Sequence, residues 1–142
     1  MDAQADGRHA GVTADSTSSI SAQLPIDARS AWRCRRTVEP LRDLIAPQAF
    51  DDLRLVVTEL VTNAVRHGGQ TGGVRLLVRC LPELVEVRVT SASGATTPAV
   101  EHDLQAGGGR LGLRVVDQLA VGWGVEQRSG NTMVWAMLPR EA

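Results

Sequence analysis

The chain has 142 residues, enough for one domain and too few for two. Apolar residues make up 43% and charged residues 22%, a globular composition with one core, and the net charge of −1 argues against nucleic acid or an anionic membrane as partner. All 15 basic residues are Arg, which excludes a P-loop lysine, a Schiff-base lysine and the strand lysine of ordinary protein kinases.

Residues 1–19 are rich in Ala, Asp, Gly, Ser and Thr and read as a disordered arm; residues 20–140 read as the folded domain. Ile20, Ala22, Leu24 and Ile26 alternate with polar residues and Pro25, the pattern of an edge strand. Asp27 caps a helix from Ala28, whose buried stripe is expected to include Trp32, Val38, Leu41, Leu44 and Ile45. Pro40 predicts a kink, or two short helices meeting near Glu39. A connector containing Pro47 leads to the clearest helix, Asp51 to His67. There Leu53, Val56, Val57, Leu60, Val61 and Ala64 recur at steps of three and four.

Glycines stop that helix, and Val74–Leu81 and Leu84–Thr90 form a hairpin through Pro82-Glu83. Ser91 to Gly109 lacks periodicity and reads as a long loop of the lid or binding type. A glycine-opened helix, Leu111 to Ala120, follows. Strands Val121–Arg128 and Thr132–Leu138 then flank the turn sequence Ser129-Gly130-Asn131. This order gives an α+β two-layer sandwich, with helices on one face of a mixed, mostly antiparallel sheet.

Cys34 and Cys80 sit in apolar patterns without metal-ligand spacing and read as buried thiols. Trp32, Trp123 and Trp135 read as packing residues, and Asp117 as an exposed carboxylate on a helix. His9 and His102 have no partner spacing, and no zinc pattern exists. No apolar run approaches the length of a membrane span and no signal-type apolar segment opens the chain, which fits a cytoplasmic protein.

Two constellations could carry chemistry. Glu59 and Asn63 stand one helical turn apart, with Arg66 and His67 on the same ridge at the rim of the apolar stripe. A carboxylate there can act as a general base and an amide oxygen can ligate Mg²⁺; a solvated polar edge is the plain alternative. Gly107-Gly108-Gly109-Arg110-Leu111-Gly112-Leu113 frees backbone N–H groups at a helix start, an anion site or simply a flexible loop end.

The segment Glu59-Leu60-Val61-Thr62-Asn63-Ala64-Val65-Arg66-His67-Gly68 resembles the N box of the GHKL ATP-binding superfamily, which includes gyrases and histidine kinases. The glycine segment with Leu113-Arg114-Val115-Val116-Asp117-Gln118-Leu119-Ala120 resembles its second glycine box. More closely, Leu24 to Pro139 resembles bacterial anti-sigma-factor serine kinases, the short ATP-binding regulators of actinobacterial type. That resemblance implies a Bergerat-type sandwich, ATP and Mg²⁺ as cofactors, and Asn63 as the magnesium ligand. It implies that Glu59 positions the attacking group. Arg66, His67, Gly94, Gly108, Gly109, Arg110, Leu111, Gly112 and Leu113 fall to the nucleotide, with Thr132 and Ser91 near adenine and residues 91–107 as lid. It also implies a serine of an anti-anti-sigma (STAS-type) protein as phosphoryl acceptor, a sigma factor as partner, and a homodimer.

Two departures stand out. The family has an Asp in its first glycine box that accepts the adenine amino hydrogen; here Val89-Thr90-Ser91-Ala92-Ser93-Gly94-Ala95 puts Ser91 there. Arg110 replaces a usual Gly, and either strains the backbone or clamps phosphate. Two functions follow: an ATP-dependent serine/threonine kinase of anti-sigma type, or a degenerate member that binds protein without nucleotide.

Overall fold

The computed structural model describes residues 18–67, 72–92 and 113–141, and the backbone alone of residues 11–12. Strand β1 is Gly11–Val12 and β2 is Ser18–Leu24. Helix α1 is Arg29–Val38, followed by a 3-10 segment, Glu39–Leu44, and the long helix α2, Pro47–His67. Strands β3, Val74–Cys80, and β4, Leu84–Ala92, precede helix α3, Leu113–Leu119. Strands β5, Gly122–Arg128, and β6, Asn131–Pro139, complete the fold.

Local chemistry explains most boundaries. The Asp27 carboxylate accepts the Arg29 N–H at 2.8 Å and so opens α1. Pro40 falls at the start of the 3-10 segment, so α1 ends at Val38. Helix α2 begins four residues before the expected Asp51. Pro47 sits in its first position, where a missing N–H costs nothing, and the predicted connector is its first turn.

The sheet runs β1-β2-β3-β4-β6-β5, and every pairing among the described residues is antiparallel. The expected two-layer α+β sandwich is therefore what forms, without the parallel component of a mixed sheet. Strand β2 starts two residues earlier than predicted, and Gly11–Val12 pairs with Ser18 and Ser19 inside the stretch read as an arm. Strand β4 runs through Ser91 and Ala92, which were expected to open the loop.

Period-two alternation buries Val74, Leu76, Val78 and Cys80 of β3, Val85, Val87 and Val89 of β4, and Val134, Ala136 and Leu138 of β6 on one face. Against that face α2 sets Leu53, Val56, Val57, Leu60, Val61 and Ala64. Both cysteines are free and buried, as expected. Trp32 is a correction: it is 55% exposed. The inward stripe of α1 is Ser30, Cys34 and Val38 at i, i+4 steps, which turns Trp32 outward.

At one end of the sheet Arg140 fastens three elements. Its guanidinium donates to the carbonyls of Leu44 at 2.7 Å and Leu81 at 2.8 Å, and its carbonyl accepts the Ala46 N–H at 3.2 Å. The candidate site lies toward the other end. Among the described residues no helix is long and apolar enough to cross a membrane.

Candidate functional site

Helix α2 positions the first group of side chains. Glu59 is half-buried, Asn63 is only 2% exposed, and His67 is half-buried. Arg66 points outward and is exposed, so it leaves the ridge it was expected to share with His67. The Oδ1 of Asn63 and the Nε2 of His67 are both buried and have no hydrogen-bond partner. They belong to residues four apart, so two orphaned polar atoms lie on one ridge at the C-terminal end of α2.

Such atoms are uncommon in folded proteins, because an unsatisfied buried group costs about 1–3 kcal/mol. The polarity of the location is informative. A helix C-terminus carries a partial negative charge and favours a cation. An unpaired carboxamide oxygen there suits a hard ion that takes oxygen ligands and keeps several waters, as Mg²⁺ does. Asn63 therefore fits a magnesium ion. Among the described residues no group of three or more His, Cys, Asp or Glu side chains forms a cage that would hold a metal by protein ligands alone.

The sheet positions the second group. Ser91 of β4 and Thr132 of β6 stand directly opposite each other in the ladder, and Val74 of β3 flanks Ser91 on its other side. Ser91 is 7% and Thr132 8% exposed. They face the helical layer, because their parity matches that of Val89 and Val134. The buried polar side chains are Ser18, Ser30, Asn63, Glu86, Ser91 and Thr132 among the described residues. Ser30 and Glu86 have structural partners: the Asp27 carbonyl for the first, Arg79 and Arg88 for the second. Asn63, Ser91 and Thr132 are singled out from the sequence, and of these only Asn63 has a buried side-chain atom without a partner.

An open cavity of about 610 Å³ adjoins Ser91, lined also by Gln23, Gly73, Arg75, Thr90 and Asn131. Gly73 is required there. Its φ is +69°, and a Cβ would come within 2.6 Å of the Leu24 carbonyl oxygen. No motif marks Gln23 or Arg75, Asn131 reads from the sequence only as a turn residue, and strand register brings all three beside Ser91. Leu113, fully buried, opens α3, which packs against α2. Asp117 is an exposed carboxylate on its helix, as expected, and accepts the indole N–H of Trp123 at 2.9 Å. Gly94, Gly108, Gly109, Arg110, Leu111 and Gly112, with the lid beyond Ala92, lie outside the described residues, as do His9 and His102.

The family model described as a histidine kinase-like ATPase domain matches residues 22–138. The chain belongs to that family. Among curated proteins none matches the chain. The match spans the sheet from β2 to β6 and all three helices, so the two constellations fall within one histidine kinase-like ATPase domain. The family is one of ATP-binding domains, and the residue with the orphaned oxygen, Asn63, lies inside the matched stretch.

Proposed function

We propose that this histidine kinase-like ATPase domain is an ATP-binding regulator of anti-sigma type. In this reading it acts in the cytoplasm as a protein serine/threonine kinase, moving the γ-phosphoryl group of ATP to a serine of an anti-anti-sigma, STAS-type partner, and it also binds a sigma factor. The observation that carries the reading is the buried, unpartnered Oδ1 of Asn63. Asn63 holds the magnesium ion, which supplies charge neutralisation at the phosphates. Glu59, one turn earlier and half-buried, orients the acceptor hydroxyl and takes its proton. Ser91 and Thr132 line the base side of the nucleotide, and the glycine segment holds the phosphates through backbone N–H groups.

The test pairs the purified protein with Mg²⁺ and γ-labelled ATP, using a STAS-type protein as acceptor. Label should pass to the acceptor. Asn63→Ala should lose both binding and transfer, whereas Glu59→Ala should keep binding and lose transfer. Transfer that survives both substitutions overturns the assignment.

Ser91 favours a second reading, a protein-binding module that does not use nucleotide. A hydroxyl in place of a carboxylate forfeits a charge-assisted hydrogen bond worth about 1.5–3 kcal/mol, or roughly 10- to 150-fold in affinity. Calorimetry separates the two. Weak heat with Mg-ATP that strengthens by that factor in Ser91→Asp supports the kinase reading. No heat in either protein at millimolar Mg-ATP favours the binding module.

A further inference from the structure

Helix α1 presents two stripes. Ser30, Cys34 and Val38 face the core, while Arg29, Trp32, Arg33 and Arg36 are all exposed. The outward four recur at i, i+3, i+4 and i+7, so they form one continuous face. The Arg36 guanidinium carbon sits 4.9 Å from the centre of the Trp32 ring, a cation–π pair that holds the indole against a positive neighbour.

Among the described residues this face takes no part in the core. An exposed Trp adds little to the core, and a polar residue would serve solubility better. Charge is also segregated. Helix α1 carries four Arg and no acidic residue, in a chain whose net charge is −1. Arg29 pairs with Asp27 at 3.1 Å, both exposed, and Arg35 turns aside to the Thr58 hydroxyl at 3.4 Å. The Glu39 carboxylate beyond the helix is engaged by Arg42. Arg33 and Arg36 have no carboxylate within ion-pair distance among the described residues.

We infer that this face is a docking surface for an acidic segment of a partner protein, with carboxylates on either side of an apolar anchor. Trp and Arg are the residues that dominate binding hot spots, and guanidinium groups take carboxylates in paired hydrogen bonds. From Arg29 to Arg36 the stripe runs about 10 Å, two turns of a partner helix. Asp27 and Glu39 bracket the stripe and break the cationic run that a nucleic acid or an anionic bilayer would follow. The inference is independent of nucleotide chemistry, since α1 carries none of the residues assigned to ATP.

The test titrates the full chain with a short helical peptide bearing Glu on both sides of Leu, and with its Gln counterpart, at low and high salt. Phosphatidylserine–phosphatidylcholine vesicles and duplex DNA serve as competing classes. The acidic peptide should bind, and high salt should weaken it. Trp32→Ala and the double variant Arg33→Glu/Arg36→Glu should each weaken it by roughly tenfold or more. Arg128→Glu, on β5, should leave it unchanged, and all variants should keep the parental melting temperature because the replaced side chains are exposed. Equal binding of the Gln peptide, tighter binding of vesicles or DNA, unaltered affinity in the α1 variants, or no binding of any probe would each overturn the proposal. So would self-association of the chain that disappears in Trp32→Ala, which would make a second copy the occupant.

Discussion

Asn63 carries an oxygen that folding has removed from water without supplying a partner. A residue that serves only stability would have been replaced there, because an apolar side chain avoids the whole desolvation penalty. Asn63→Leu should therefore leave the ligand-free melting temperature unchanged or raise it, by up to the equivalent of about 1–3 kcal/mol. The same variant should lose stabilisation by Mg-ATP. A fall in the ligand-free melting temperature would mean that the carboxamide is structural after all. His67, whose Nε2 is the second orphan on that ridge, is the natural comparison. Sequence spacing placed both residues at the rim of the apolar stripe, but it could not distinguish a wet rim from a dry one. Helical phase reports direction and not depth.

Two elements carry predictions of their own. Glu86 of β4 receives the Nε–H of Arg79 from β3 and of Arg88 from its own strand, each at 2.8 Å. Burial pushes its carboxyl up, but the hydrogen bonds from the two guanidinium groups outweigh that and hold it below the usual carboxylate range. A carboxyl held low contributes stability that is complete above its unfolded value, about 4.3, and is lost as pH falls through the folded value. Between about pH 5 and pH 3 the melting temperature of the parent should fall more steeply than that of Glu86→Gln. Parallel curves would show that the Arg–Glu–Arg group contributes nothing. The β5–β6 hairpin turns through Ser129 at φ +48° and Gly130 at φ +84°, the paired positive angles of a two-residue turn that follows the strand twist. Around Gly130 there is open space, so Gly130→Ala isolates backbone strain from crowding. It should cost about 1–2 kcal/mol in denaturant unfolding, whereas a cost near zero would mean that the turn shifts type.

At the scale of the molecule, the site joins parts that lie far apart in the chain. Under the proposed function helix α2 supplies the cation end and β4 and β6 supply Ser91 and Thr132, and these elements share one continuous core. Ligand binding should therefore stabilise the domain as a unit. At a concentration one hundred times Kd, a single site adds about 2.7 kcal/mol, roughly 8 °C in Tm for a chain of this length. A scan with Mg-ATP in the parent, beside Asn63→Leu, measures this directly. No rise in the parent at millimolar Mg-ATP would favour the protein-binding reading.

The sequence alone determined the element order from β2 to β6, the two-layer arrangement and the place of Asn63 on the polar ridge of α2, while its family resemblance marked Ser91 and Thr132 as candidates. The first three follow from local periodicity and from residue types at fixed spacing, which need no knowledge of distant contacts. It misjudged Trp32, because an aromatic residue in a helix is read as core until the neighbouring stripe of Ser30, Cys34 and Val38 is seen to take the inward face. It also left Arg66 beside His67, where one step of helical rotation separates solvent from interior. Tertiary structure decided which polar atoms are dry, which strands stand opposite each other, and that Gln23, Arg75 and Asn131 share a cavity with Ser91. Those outcomes depend on the register between segments dozens of residues apart, which sheet pairing fixes and no local pattern encodes.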